Sequence, residues 1–260
     1  MPSSYAHYRF GCQTAAFLPD KVQLCVVQQR HLYEIGLHGP DFLFFRNPLF
    51  LDRLYKLGLL VHRIPGKVFF ENAAASIVKD PTPGQISYLF GVLNHFVLDS
   101  ICHPYVNQIA QSKKAGHIEL ETEFDRKLML LDGVKKPYHQ KLTGHICLKN
   151  KQDPYDIALF YPGASPADIR TCFRLFCLVG NLCALPFTPL RKLLTSGKCG
   201  ATAKEMVMHI EDNPNCTPYI PELLALYQQA LGLFPKLSEN LYAHLTNHVP
   251  LQEEFDLIFG

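Results

Sequence analysis

The stretch Leu93–Val106, LNHFVLDSICHPYV, is apolar enough to be core, yet it carries His95, Asp99 and His103 at four-residue intervals. On a helix turning about 100° per residue, these three groups fall within an arc of roughly 80°. Tyr88 and Val92 continue the same face, so the polar side chains point where the core should lie. Burying an unpaired carboxylate costs several kcal/mol. An adjacent cation removes that penalty and holds both imidazoles neutral. Along the helix axis His95 and His103 stand about 12 Å apart, too far to share one ion. If all three are ligands, more than one metal is required unless the helix unwinds near Pro104. The bland alternative is a partly exposed helix whose pattern arose by chance.

The following segment repeats the device. In HIELETEFDRKLML (117–130), His117 and Glu121 are an i, i+4 pair, and Phe124 and Leu128 extend their face. Glu119, Glu123, Arg126 and Lys127 fall on the other side and are expected to face water. Helical bundles build metal sites in their cores in this way, with metal-capable pairs projecting from the buried faces of neighbouring helices.

Working outward, most of the chain reads helical. Apolar residues keep helical spacing over 20–35, with Gly36 as a stop, and over 48–61, which opens on Pro48. The central segment spans 82–103, with Pro83 near its start and Pro104 just past its end. Residues 134–165 are poor in periodicity and read as a long connection. Further helices are expected at 166–184, 201–211, 219–233 and 235–246. No stretch sustains strand alternation, so the expected architecture is all-α. The simplest arrangement is a single multi-helix domain over 1–260, with a metal-site core in 1–135 and a helical C-terminal part in 150–260.

Composition narrows the function classes. With 48% hydrophobic and 18% charged residues the chain is globular rather than disordered. A net charge of +2 is too small for attraction to a polyanion to dominate, which disfavours nucleic acid as the partner. Nine cysteines without a CxxC pair suit a reducing compartment better than a disulfide framework. The first residues, MPSSYAHYRFGCQ, lack a basic start followed by an apolar core, and no apolar run reaches membrane-spanning length. The expected location is cytoplasmic.

The order of these residues resembles the zinc-dependent phospholipase C family, which is related to fungal single-strand zinc nucleases. The resemblance runs through His7 in YAHYRFG, Asp41 in GLHGPDFLFF, His62 in LLVHRIPG, His95 and Asp99 in HFVLD, His103 in CHPY, and His117 with Glu121 in HIELE. It implies an all-helical fold holding two or three Zn²⁺ ions. Carried over residue by residue, it implies that Asp41, His62, His95 and Asp99 hold one ion and that His103, His117 and Glu121 hold a second. His7 and Asp99 would hold a third, with Asp99 bridging and Asp41 also acting as general base. The reaction implied is metal-assisted hydrolysis of a phosphodiester, with a phospholipid at a membrane surface as the favoured partner. The chain departs from the secreted enzymes in two places. It has no tryptophan to supply the terminal amine and carbonyl of the third site, so Pro2 would stand there after loss of Met1. The gap from Asp99 to His103 is also shorter, which implies a different local loop.

Two rivals stay open at this level: a nuclease or nucleotide phosphatase using the same metals, and a non-catalytic scaffold held together by zinc. His31, His38, His139, His145, His209, His244 and His248 have no partner at ligand spacing and are expected to be structural or exposed. His38, three residues before Asp41, is the one placed to orient a ligand. Phe42–Phe45 are expected in the core or lining a lipid-accepting cleft.

Overall fold

Residues 87–100 are buried without interruption, which requires a helix enclosed on all sides rather than one with a wet face. That helix forms the axis of the fold. The computed structural model describes residues 4–47, 52–77, 80–184, 188–196 and 200–260. Its helices are α1 Ser4–Thr14, α2 Asp20–Gln28, α3 Arg30–Gly36, α4 Arg53–Arg63, α5 Gly66–Ser76 and α6 Pro83–Gln111. They are followed by α7 His117–Leu131, α8 Asp153–Ala158, α9 Pro166–Cys183, α10 Thr188–Thr195, α11 Ala201–Glu205 and α12 Ile220–Asn247. There is no strand among the described residues, and the chain is all-α.

The start of α6 is set locally. Thr82 Oγ1 accepts from Gln85 N at 3.1 Å and Gln85 Oε1 accepts from Thr82 N at 3.1 Å, with Pro83 at the first helical position. Thr82 is exposed, so Thr82→Ala removes the cap and little else. It is expected to cost about 1 kcal/mol, read as a lower denaturant midpoint at unchanged slope.

The end of α6 corrects the sequence reading. The helix does not stop at 103 but runs through Pro104 to Gln111, so His95, Asp99 and His103 share one continuous helix and no special loop separates the last two. Pro104 costs the bond that Ser100 C=O would accept. Packing of α6 against α1, α2, α3, α7, α8 and α12 outweighs that local loss. Pro235 likewise lies inside α12, joining the two helices expected at 219–233 and 235–246 into one. Conversely, the expected helix over 20–35 breaks at Gln29, whose φ of −130° and ψ of 46° are not helical. The expected start at Pro48 lies outside the described residues, and α4 begins at Arg53, capped by Asp52 Oδ1. The 134–165 connection contains α8, and the helix expected over 201–211 is only Ala201–Glu205.

One expectation about α7 fails. Glu123 and Arg126 are buried, not solvated. Arg126 grips both oxygens of Glu123, at 2.8 and 2.7 Å, and also binds Asp212 from the segment beyond α11. A long-range partner satisfies the charge that the helical pattern alone assigns to water.

Candidate metal centre

Three helices and one turn converge on α6. Helix α1 brings His7, the last turn of α4 brings His62, α6 carries His95, Asp99 and His103, and α7 carries His117 and Glu121. Asp41 opens a 3₁₀ turn, Asp41–Phe45, after a bend at Gly39 with φ of +47°. A Cβ at Gly39 would stand 2.9 Å from His95 Nε2, so glycine serves both the backbone angle and the approach of the turn to the helix.

All eight residues named from the sequence come together. Asp99 faces three imidazoles: His7 Nε2 at 3.2 Å on Oδ1, and His95 Nε2 at 3.1 Å and His103 Nε2 at 3.5 Å on Oδ2. Asp41 Oδ1 lies 2.9 Å from His62 Nε2 and 3.9 Å from His95 Nε2. Glu121 Oε1 lies 3.0 Å from His103 Nε2 and 3.3 Å from His117 Nε2. Three groups have ligand atoms within 4.8 Å of one another: His7, His95 and Asp99; Asp41, His62 and His95; His103, His117 and Glu121. His95 belongs to two of them, although one Nε2 can serve only one ion.

The residues fit a metal on their own chemistry. His62 Nδ1 lies 2.7 Å from Gly58 O, which can only accept, so the ring hydrogen is on Nδ1. Its Nε2 then turns a lone pair toward the Asp41 carboxylate, and only a proton or a cation between them reconciles the two acceptors. His95 is fully buried, its Nδ1 has no hydrogen-bond partner, and its Nε2, although 3.1 Å from Asp99 Oδ2, makes no well-aligned one. An orphaned imidazole beside two carboxylates is costly in a protein interior and normal in a metal shell. Imidazole nitrogens mixed with carboxylate oxygens are the donor set zinc takes.

Without metal, protons take the ion's place. Burial disfavours the charge on Asp99, but His103, His95 and His7 outweigh it and hold its pKa well below the usual carboxylate range. Burial also works against the imidazolium of His103, yet Asp99 and Glu121 carry its pKa up to about 9. His95 goes the other way, burial lowering it. A raised group stabilises the fold fully below its unfolded pKa, about 6.5 for histidine, and loses that stabilisation as pH rises through the folded value. Depressed carboxylates such as Asp99 contribute above their unfolded pKa and lose the contribution as pH falls. The metal-free protein is therefore expected to lose thermal stability between pH 6.5 and about 9, the latter set by His103. Metal-loaded protein, its ligands already deprotonated, should be flatter over that range. Parallel melting curves would remove His103 from the metal's shell.

A cleft of about 500 Å³ opens beside the cluster, within the range of small-molecule sites. Asp41, His62, His103 and His117 form its polar floor. Phe44, Phe45, Tyr55 and Leu59 give apolar walls, and Val179 and Met206 from the C-terminal half complete them. The Phe42–Phe45 run thus divides: Phe42 and Leu43 are core, whereas Phe44 and Phe45 line the cleft.

Two supports were not named from the sequence. Gly58 O holds His62, and Asn107 Oδ1 lies 3.1 Å from His117 Nδ1. Asn107 was findable, since it extends the four-residue ladder of 95, 99 and 103 once α6 continues past Pro104. His38 does not bond to any of the eight; its Nε2 lies 2.6 Å from His145 Nε2, while its ring edge meets His7. His31 pairs with Asp153 at 3.0 Å and is structural. Pro2 lies outside the described residues.

No curated protein and no solved structure matches the chain. A family model does: that of zinc-dependent phospholipase C, over residues 6–161. The match takes in more than half of the chain and each of the eight clustered residues, and the protein belongs to the zinc-dependent phospholipase C family.

Proposed function

We propose that the protein is a zinc-dependent hydrolase of phosphoric diesters, with a phospholipid as substrate, using two or three Zn²⁺ ions held by His7, Asp41, His62, His95, Asp99, His103, His117 and Glu121. The convergence of these side chains in one cluster, of which Asp41, His62, His103 and His117 line an open, apolar-walled cleft, carries this reading. A purely structural zinc site would be closed, with four protein ligands and no adjoining cavity. Zinc, when bound, supplies positive charge to the phosphate oxygens and acidifies water.

The chain's own residues do the rest. Phe44, Phe45, Tyr55 and Leu59 bury the apolar part of the substrate and exclude water from the floor. Asp41 is the proposed general base. It faces the cleft, and His95 and His62 overcome burial to keep its carboxyl below the usual range, so it stays ionised, as a base must be. His62, its ring fixed by Gly58 O, would share an ion with that carboxylate 2.9 Å away. His103 and His117, both joined to Glu121, also line the cleft, and we place the leaving group beside them.

We place the protein in the cytoplasm, because each of the eight described cysteines is a free thiol. No helix among the described residues is long and apolar enough to cross a membrane. We also infer that 1–260 works as a single unit, since α12 packs on α6 and α9 on the Asp41–Phe45 turn.

The test is elemental analysis of untagged protein, together with hydrolysis of phosphatidylcholine vesicles and of single-stranded DNA. Bound zinc with release of phosphocholine supports the proposal. Faster cleavage of DNA would replace it with a nuclease, and zinc without either activity with a scaffold. Chelation should lower Tm as well. A ligand at a thousandfold excess over Kd stabilises by about 4 kcal/mol, which is roughly 10 °C for a chain near this size.

A further inference from the structure

The segment Leu257–Gly260 lies far beyond the family match, yet it reaches the metal centre. Gly66 N donates to Leu257 O at 2.9 Å, Phe259 N to Ile64 O at 3.2 Å, and Gly260 N to His62 O at 3.2 Å. Pro65 and Ile258 form an antiparallel bridge between them. The result is a strap pinned along the chain that leaves α4 directly after His62.

Its side chains then meet the ligands. Phe259 is fully buried, its ring centroid 6.0 Å from that of His95 and 6.4 Å from that of His62, with Phe96 and Phe69 behind it at 5.1 and 5.2 Å. On another side of His95 the His7 ring stacks at 4.4 Å. Gly260 lines the cleft, and a Cβ there would stand 2.8 Å from His103 Nδ1 and 3.3 Å from Asp99 Oδ2.

Metal-binding histidines ordinarily donate their second ring N–H to an oxygen, which fixes the ring. His62 does so through Gly58 O, but His95 Nδ1 has no partner. On the Nδ1 side only packing holds the His95 ring in place, and the strap supplies part of it. We propose that Phe259 is a positioning residue that fixes His95 and His62 for metal by ring packing in place of a hydrogen bond. Position 260 must carry no side chain, so that His103 and Asp99 keep their places. This rests on the metal centre of the proposed function, and it assigns a part of that centre to a segment the family match does not contain.

Zinc affinity, measured by chelator competition, tests it on Phe259→Ala, Phe259→Leu and Gly260→Ala, alongside melting of each chelated protein. Phe259→Ala should bind zinc roughly 10–100-fold more weakly, the usual effect of losing a group that orients a ligand. Phe259→Leu should recover most of the metal-free Tm but not the affinity, because leucine restores apolar volume without the flat ring. Gly260→Ala should weaken binding at least about tenfold. The visible absorption of the Co²⁺-loaded Phe259→Ala protein should shift at saturating metal. Affinity that merely tracks metal-free Tm, or that is unchanged in Phe259→Ala and Gly260→Ala, would overturn the strap alone. Wild-type protein that takes up no zinc would overturn the metal centre and the strap's role with it.

Discussion

Asp99→Asn protein is expected to fold, to carry at least one zinc fewer per chain than wild type, and to lose phosphodiester hydrolysis with the metal. Asp99 lies within 3.5 Å of three imidazoles on both of its oxygens, and no other carboxylate in the cluster touches so many. Asparagine keeps the shape and can still donate to a neutral imidazole, but it removes the charge that offsets bound cations. The loss of affinity should exceed roughly 100-fold, the upper end for groups that only orient a ligand. Metal-free stability should also fall by about 3 kcal/mol, since one partner of a buried ionic pair is gone. Asp153→Asn supplies the contrast. Asp153 is equally buried, pairs with His31 at 3.0 Å and accepts from Lys149 N and Asn150 N, but it lies in no metal-capable group among the described residues. It should cost stability and leave zinc untouched. Asp99→Asn protein with full zinc and full activity would end the metal reading of α6.

Much of this centre was legible because its geometry is local. His95, Asp99 and His103 fall on one face through helical periodicity alone, as do His117 and Glu121, and their order with His7, Asp41 and His62 carried the family resemblance. What was not legible depends on contacts distant in sequence. Pro104 and Pro235 read as helix ends because the lost hydrogen bond is local, whereas the packing that keeps α6 and α12 continuous is not. Glu123 and Arg126 read as solvated because Asp212 is far along the chain. The pairing of 257–260 with 62–66 follows no local pattern, and neither does the His38–His145 contact. Helices α1 and α5 were not anticipated, although α1 delivers His7.

Replacing glycine by alanine should have opposite signs at two helical positions, and the larger effect is a loss. On propensity alone, alanine stabilises a helix interior by about 1 kcal/mol over glycine. At Gly232 in α12 nothing lies within 4 Å of an added Cβ, so Gly232→Ala should gain most of that amount. At Gly91 the added Cβ would overlap Tyr33 O outright and stand 2.8 Å from Gly36 Cα, where α3 crosses α6. Gly36 is its mirror, with a Cβ there meeting Tyr88 O and Gly91 Cα. These are backbone atoms, which cannot rotate away as a side chain would, so the two helices must separate. Separation strains the Ser87 Oγ bond to Gln29 O at 2.9 Å and the Asn94 Nδ2 bond to Tyr33 OH at 3.1 Å. Overpacking of a core costs about 1–3 kcal/mol and more where the backbone must move. The net loss for Gly91→Ala is expected near 3 kcal/mol, or roughly 10 °C in Tm. The displacement should also reach the metal. His95 follows Gly91 by one helical turn and Asp41 follows Gly36 through the Gly39 bend, so moving α3 from α6 draws Asp41 off His95 and zinc affinity falls with stability. A Gly91→Ala protein as stable as Gly232→Ala would show that the α3–α6 crossing is looser than the contact of their backbones requires.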